Sequence, residues 1–142
     1  MKKILSLVLS LMLVACVFAG CGNTQTSENA VTVTVNFVAD GADYYSKEVT
    51  VYADEPTVLM AVQNLMDEND DIVINLDSID NPTTVLDVDD YTDGDKFWDF
   101  KIGDDAYGTN GRASNAKIKD GDVITWGYMT SDEFEALESA AE

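Results

Sequence analysis

The sequence has 142 residues, 27 acidic and 8 basic, for a net charge of −19, and it contains no histidine. A chain this anionic is repelled by nucleic-acid phosphates and by anionic lipid headgroups, which excludes nucleic-acid binding. The missing histidine, with both cysteines confined to the first 21 residues, removes from the remaining chain the histidine-based triads, a cysteine nucleophile, a disulfide framework and a thiolate zinc site.

The chain opens "MKKILSLVLSLMLVACVFAGCGN". Lys2 and Lys3 precede an apolar run from Ile4 to Phe18, small residues Ala19 and Gly20 follow, and the order is that of a secretory signal peptide over 1–20. "FAGC" (18–21) resembles the lipobox of bacterial lipoproteins, in which the cysteine takes a lipid and becomes the mature N-terminus. Cys21 is the favoured lipidation residue, because cutting before Cys16 would leave Val17 and Phe18 on the mature end. A plain signal peptide with a free cysteine is the alternative. The resemblance implies export and a lipid anchor in the outer face of the bacterial cytoplasmic membrane. Residues 21–30 are polar and read as a flexible tether. Cleavage leaves about 120 residues, tether included, enough for a single core, and removing Lys2 and Lys3 makes their net charge −21.

"VTVTVNFV" (31–38) alternates strictly, with Val31, Val33, Val35 and Phe37 on one face. Asp40-Gly41 is a turn pair, and "KEVTVYA" (47–53) alternates again, so the two segments predict a β-hairpin. The period then changes. Val58, Leu59, Ala61, Val62, Leu65 and Met66 recur at helical spacing, Asp54 or Thr57 can cap the start, and Pro56 suits the first turn. Asp67, Glu68 and Asp70 oppose the helix dipole and help end the helix near Asn69. Short strands are predicted at 71–76 and 84–88 within an otherwise irregular acidic stretch. "FWDFKI" (97–102) places Trp98, Phe100 and Ile102 on one face. "VITWGYM" (123–129), after the Asp120-Gly121 turn, does the same with Ile124, Trp126 and Tyr128. Residues 131–142 form an acidic tail, as a frayed helix or a disordered end. Hairpin, helix and further strands in this order predict an α+β fold, a β-grasp-like mixed sheet with one main helix packed on one face.

Three segments are candidates for chemistry. Trp98 and Trp126 fall in phase with core positions, although an aromatic at a strand end can stack on a planar ligand. The loop "GDDAYGTNGRASNA" (103–116) has no apolar periodicity. It offers Tyr107, Thr109, Asn110 and Arg112: one amphipathic ring, several hydrogen-bonding groups and a cation. Its bland reading is a long connection in which Gly108 and Gly111 serve turn geometry. The acidic run "DVDDYTDGD" (87–95) fails the EF-hand template, since Tyr91 takes a ligand place and Phe100 stands where the terminal Glu belongs. A calcium site of another kind stays open beside a solvated acidic loop. Carboxylate-only catalysis needs a deep cleft that so small a domain seldom offers, so no catalytic residues and no required cofactor are expected.

"WDFKIGDDAYGTNG" followed by "AKIKDGDVITWGY" resembles the C-terminal domain of transcobalamin, of the soluble-ligand-binding β-grasp group, as carried by bacterial surface proteins. Trp98, Gly103-Asp104, Tyr107, Gly111 and Asp120-Gly121-Asp122 carry the resemblance, which covers residues 31–130. Ile102 departs from the Asn usual before the turn glycine. The resemblance implies a cell-surface binding module for a corrinoid or another small planar ligand. The reading of the residues themselves puts such a ligand against Tyr91, Trp98, Tyr107, Thr109, Asn110 and Arg112. The implied partners are the membrane through the lipid and a surface protein or uptake transporter. A protein–protein docking domain using an exposed sheet edge, or a calcium-stabilised surface domain, are the other readings.

Overall fold

The computed structural model describes residues 29–92 and 94–140; the segment read as a signal peptide, Cys21 and most of the expected tether lie outside the described residues, as does Asp93 of the acidic run. Strand β1 (Ala30–Ala39) and strand β2 (Ala42–Tyr52) pair antiparallel, both longer than the alternating pattern requires. The Asp40-Gly41 turn that joins them has φ of 53° and 76°, the left-handed pair that matches strand twist in a two-residue hairpin. The polypeptide then enters helix α1 (Val58–Glu68). Val58, Ala61, Val62 and Leu65 are buried along one stripe, as their spacing predicts.

Helix α1 starts where its first N–H groups find acceptors. Thr57 is the N-cap, with its Oγ1 accepting from Met60 N. Pro56 therefore precedes the cap instead of occupying the first turn, and its carbonyl accepts from Ile118 N at 3.1 Å. Asp54 does not cap. The N–H groups of Val58 and Leu59, which have no partner within a helix, donate to the carbonyls of Ala116 and Ala113 at 2.9 and 3.0 Å. At the other end Asn69 Nδ2 donates to the Leu65 carbonyl.

Strands β3 (Ile74–Leu76) and β4 (Val85–Val88) form a separate two-stranded ribbon, and β3 is shorter than the apolar run 71–76 suggests. Strand β5 (Lys96–Ile102) and strand β6 (Val123–Thr130) complete the main sheet, whose order is β2-β1-β6-β5. β1 and β6 run parallel, and the other two pairs are antiparallel. This mixed sheet with α1 on one face is the α+β layout expected.

Because side chains alternate across a strand, the sheet has two distinct faces. The inner face carries Val33, Val35, Phe37, Val49, Val51, Trp98, Phe100, Ile124, Trp126 and Tyr128, and all belong to one buried cluster with α1. Every residue of that cluster lies between 33 and 128. The outer face carries Val38, Phe97, Asp99, Gly127 and Met129. Helix α2 (Ser131–Ala140) follows β6 directly, so the acidic tail is helical over these residues. A capping box starts it: Thr130 N donates to Glu133 Oε2 at 2.8 Å, and Glu133 N donates back to Thr130 Oγ1 at 3.2 Å. The helix folds back over the outer face, where Phe134 meets Phe97 with ring centroids 5.8 Å apart.

Candidate functional site

The loop after β5 divides into two parts with different jobs. Residues 112–118 are structural. Arg112's carbonyl accepts from Asn115 N and Ala116 N, and Ala113, Ala116 and Ile118 are buried. As described above, the carbonyls of this segment satisfy the start of α1. Alanine is small enough to bring that backbone against the helix, which is why an apolar periodicity is absent although the segment belongs to the core. Residues 103–111 behave otherwise. They turn back over the outer face of β5 and β6, and Thr109 closes the turn by donating to the Ala106 carbonyl at 2.7 Å.

That turn presents Tyr107 to Gly127. A Cβ built at Gly127 would stand 2.9 Å from Tyr107 Oη and 2.6 Å from Met129 Cε, so glycine is what lets the ring approach the strand. At Gly108, φ is 77° and a Cβ would collide with the Phe134 ring. The glycines thus seat both Tyr107 and α2. Burial, and then the Asp99 charge, push the Tyr107 hydroxyl pKa up, so the phenol stays neutral at physiological pH. Lys101 Nζ lies 5.6 Å from the Tyr107 ring centroid.

Between α2 and the outer face lies a cleft of about 360 Å³. Val38, Gly127, Tyr128 and Met129 line it from the sheet, Tyr107 from the loop, and Ala136 and Leu137 from α2. Asp40, Gly41 and Glu133 close the end beside the hairpin turn. Lys96 Nζ pairs with Asp40 at 2.7 Å there. A smaller hollow of about 210 Å³ shares Tyr107 and Leu137 and is bordered by Lys101, Asp104 and Asp105.

The six residues singled out in the sequence do not converge on this cleft; of them, it is lined by Tyr107. Trp98 and Tyr91 lie on the inner side of the sheet. Trp98 is 4% exposed and packs with Phe37 and Tyr128, at centroid distances of 5.5 and 5.0 Å. Its Nε1 donates to the Tyr91 carbonyl at 3.4 Å. Tyr91 stands edge-on to Trp98, Tyr128 and Tyr44. A pocket joining Tyr91, Trp98 and Tyr107 is prevented by the sheet itself, which separates residues of opposite alternation phase. Thr109 and Arg112 serve the loop as described, and Asn110 is half-buried, with its Nδ2 buried and unpartnered among the described residues. Sequence reasoning missed Gly127, Met129 and Leu137. The signal for Gly127 was a glycine interrupting a β-branched and aromatic strand, which marks a close approach.

In the acidic run, Asp89 adopts φ of 47°, a conformation aspartate tolerates. Its carboxylate accepts from Val73 N at 2.8 Å and from the Tyr44 hydroxyl. That hydrogen bond, with partial burial and the acidic surroundings, pushes the Tyr44 pKa to about 12. Among the described residues no group of three or more His, Cys, Asp or Glu side chains is arranged to hold a metal ion.

No family model matches this chain, and no curated protein matches it. Among solved structures it is similar to a "putative metal binding protein from Ruminococcus gnavus ATCC 29149", with 15% sequence identity and a TM-score of 0.46, covering 71% of this chain and 98% of that one.

Proposed function

We propose that this protein is an exported, lipid-anchored, non-catalytic binding module of the transcobalamin C-terminal type, which holds a small planar ligand in the cleft between α2 and the outer face of the sheet. One observation carries the reading: the loop that bears the resemblance is folded back so that Tyr107 forms a wall of that cleft. The volume is at the low end of the 300–1,000 Å³ or so found for ligand pockets. A corrinoid would project beyond it, so the cleft would grip an edge or side group of such a ligand and leave the rest to solvent or to a second protein. Docking through the edge of β2, unpaired among the described residues, is less well supported. Asp43, Lys47 and Glu48 are exposed along that strand, and charged side chains are how natural proteins discourage edge-to-edge pairing.

The reading is tested by isothermal titration of residues 24–142 with cobalamin and cobinamide. Micromolar or tighter binding, lost in Tyr107→Ala, supports corrinoid capture. No heat with either compound sinks corrinoid capture by the isolated domain. The anchor is tested separately: the mature protein should gain the mass of a lipid at its first residue, and Cys21→Ser should abolish the gain.

A further inference from the structure

Resting on the cleft as ligand site, its charge pattern narrows the ligand. The lining is mostly apolar and contains two carboxylates, Asp40 and Glu133, but no lysine or arginine. Asp40 is largely neutralised by Lys96 at 2.7 Å. Glu133 is not in salt-bridge contact with a cation among the described residues. Its Oε2 accepts from Thr130 N at 2.8 Å and from Thr130 Oγ1 at 3.1 Å, so the carboxylate is fixed at the cleft's end by the start of α2. Backbone and hydroxyl hydrogen bonds from Thr130, helped by nearby Lys96, hold its pKa below the usual range, so it is ionised at neutral pH.

Because Gly127 has no side chain, Tyr107 Oη and Met129 Cε close over it, so the sheet side of the cleft is lined by the Tyr107 ring and a polarisable thioether. A flat ring can lie there against Tyr107. An anionic ligand would face Glu133 and the field of a domain whose net charge is −21. A cationic ligand gains from both, and from the π-face chemistry that already draws Lys101 Nζ to the Tyr107 ring. We propose that the cleft selects a small, flat organic cation, with an apolar ring system against Tyr107 and Met129 and a quaternary or protonated nitrogen toward Glu133.

Thioflavin T and anilinonaphthalene sulfonate suit the test, because both carry flat aromatic ring systems but the first is cationic and the second anionic. Each is titrated by fluorescence into residues 24–142, whose buried cluster lies wholly between 33 and 128, at about 0.15 M and about 0.5 M salt to screen diffuse attraction. Thioflavin T should bind one site that persists at the higher salt. Ala136→Trp fills the cleft from an exposed helix position, and Gly127→Val fills it by forcing Tyr107 and Met129, which close over that glycine, out of their places; each should weaken binding by about tenfold or more, equivalent to about 1.4 kcal/mol. Glu133→Gln keeps a capping acceptor at the start of α2 and should weaken thioflavin T by about threefold or more. The anionic dye should not bind the cleft.

If the anionic dye binds as tightly as the cation, and Ala136→Trp removes it, the cleft stands as a ligand site and the cation preference is overturned. If neither dye gives binding sensitive to Ala136→Trp, the cleft reading falls with it. Thioflavin T binding that vanishes at the higher salt and ignores both filling variants is diffuse attraction to an acidic surface, and also overturns the proposal.

Discussion

Asp99 shows how one residue answers to two faces of the same strand. It lies on the outer side of β5, half-buried beneath the Tyr107 turn, while its neighbours Trp98 and Phe100 fill the core. Burial raises its carboxyl pKa, and a hydrogen bond from Phe100 N at 2.8 Å partly opposes the rise. A carboxyl whose folded pKa exceeds its unfolded value favours the fold most below the unfolded value. That contribution is lost as pH rises through the folded pKa. Asp99→Asn keeps an acceptor for Phe100 N and removes the charge, so it should stabilise the protein near neutral pH by up to about 1 kcal/mol. The gain should fade at about pH 3, where the wild-type carboxyl is protonated, and urea denaturation at the two pH values measures it. Trp126 is the complementary case on the inner face. It is 0% exposed and packed on Phe37 and Phe100, yet its Nε1 has no acceptor among the described residues. Trp126→Ala should cost about 3–5 kcal/mol. Trp126→Phe should cost clearly less, because it also removes an unsatisfied buried donor.

At the scale of elements, the two helices are held in different ways. Helix α1 is bound by a buried stripe, by Thr57 and by the carbonyls of Ala113 and Ala116. Helix α2 has no buried residue, is 10 residues long and carries acidic groups to its C-terminal end, so by itself it would be marginal in water. Loss of either cap costs a helix about 1 kcal/mol. Thr57→Ala should therefore lower the global urea midpoint. Thr130→Ala should leave that midpoint nearly unchanged while amide exchange across α2 accelerates, because only α2 opens. The 77–84 connection offers a pH test. The Asp77 carboxylate accepts from Thr83 Oγ1, Thr83 N and Thr84 N, and these bonds hold its pKa down at about 2. A depressed carboxyl contributes stability above its unfolded pKa and loses it as pH falls through the folded one. The Thr83 and Thr84 amide resonances should accordingly titrate near pH 2, and Asp77→Asn should abolish that transition.

For the molecule as a whole, the parallel β1–β6 pair at the centre of the sheet joins the two ends of the chain's fold, with α1 and the segment 112–118 clasped over the inner face. Hydrogen exchange should be slowest in β1 and β6 and fastest in α2, in keeping with the burial of each. A chain ending at Thr130 should keep the near-ultraviolet signature of its buried aromatics, since the buried cluster ends at Tyr128. The same chain should lose the cleft, because Glu133, Ala136 and Leu137 go with α2.

Local pattern alone determined the hairpin with its Asp40-Gly41 turn, the α1 stripe, β5, β6 and the α+β class. Each of these is written in residues a few positions apart, as alternation, helical spacing or turn chemistry. The same pattern singled out Tyr107 on a candidate binding loop. Only the tertiary structure decided that Tyr107 and Trp98 lie on opposite faces of the sheet, that Ala113 and Ala116 serve α1, and that α2 roofs a cleft over Gly127. Those facts depend on how a loop returns and which strand pairs with which, over separations of dozens of residues. Short-range periodicity carries no record of such long-range choices; they are fixed by which apolar faces and unsatisfied backbone groups find partners when the chain closes.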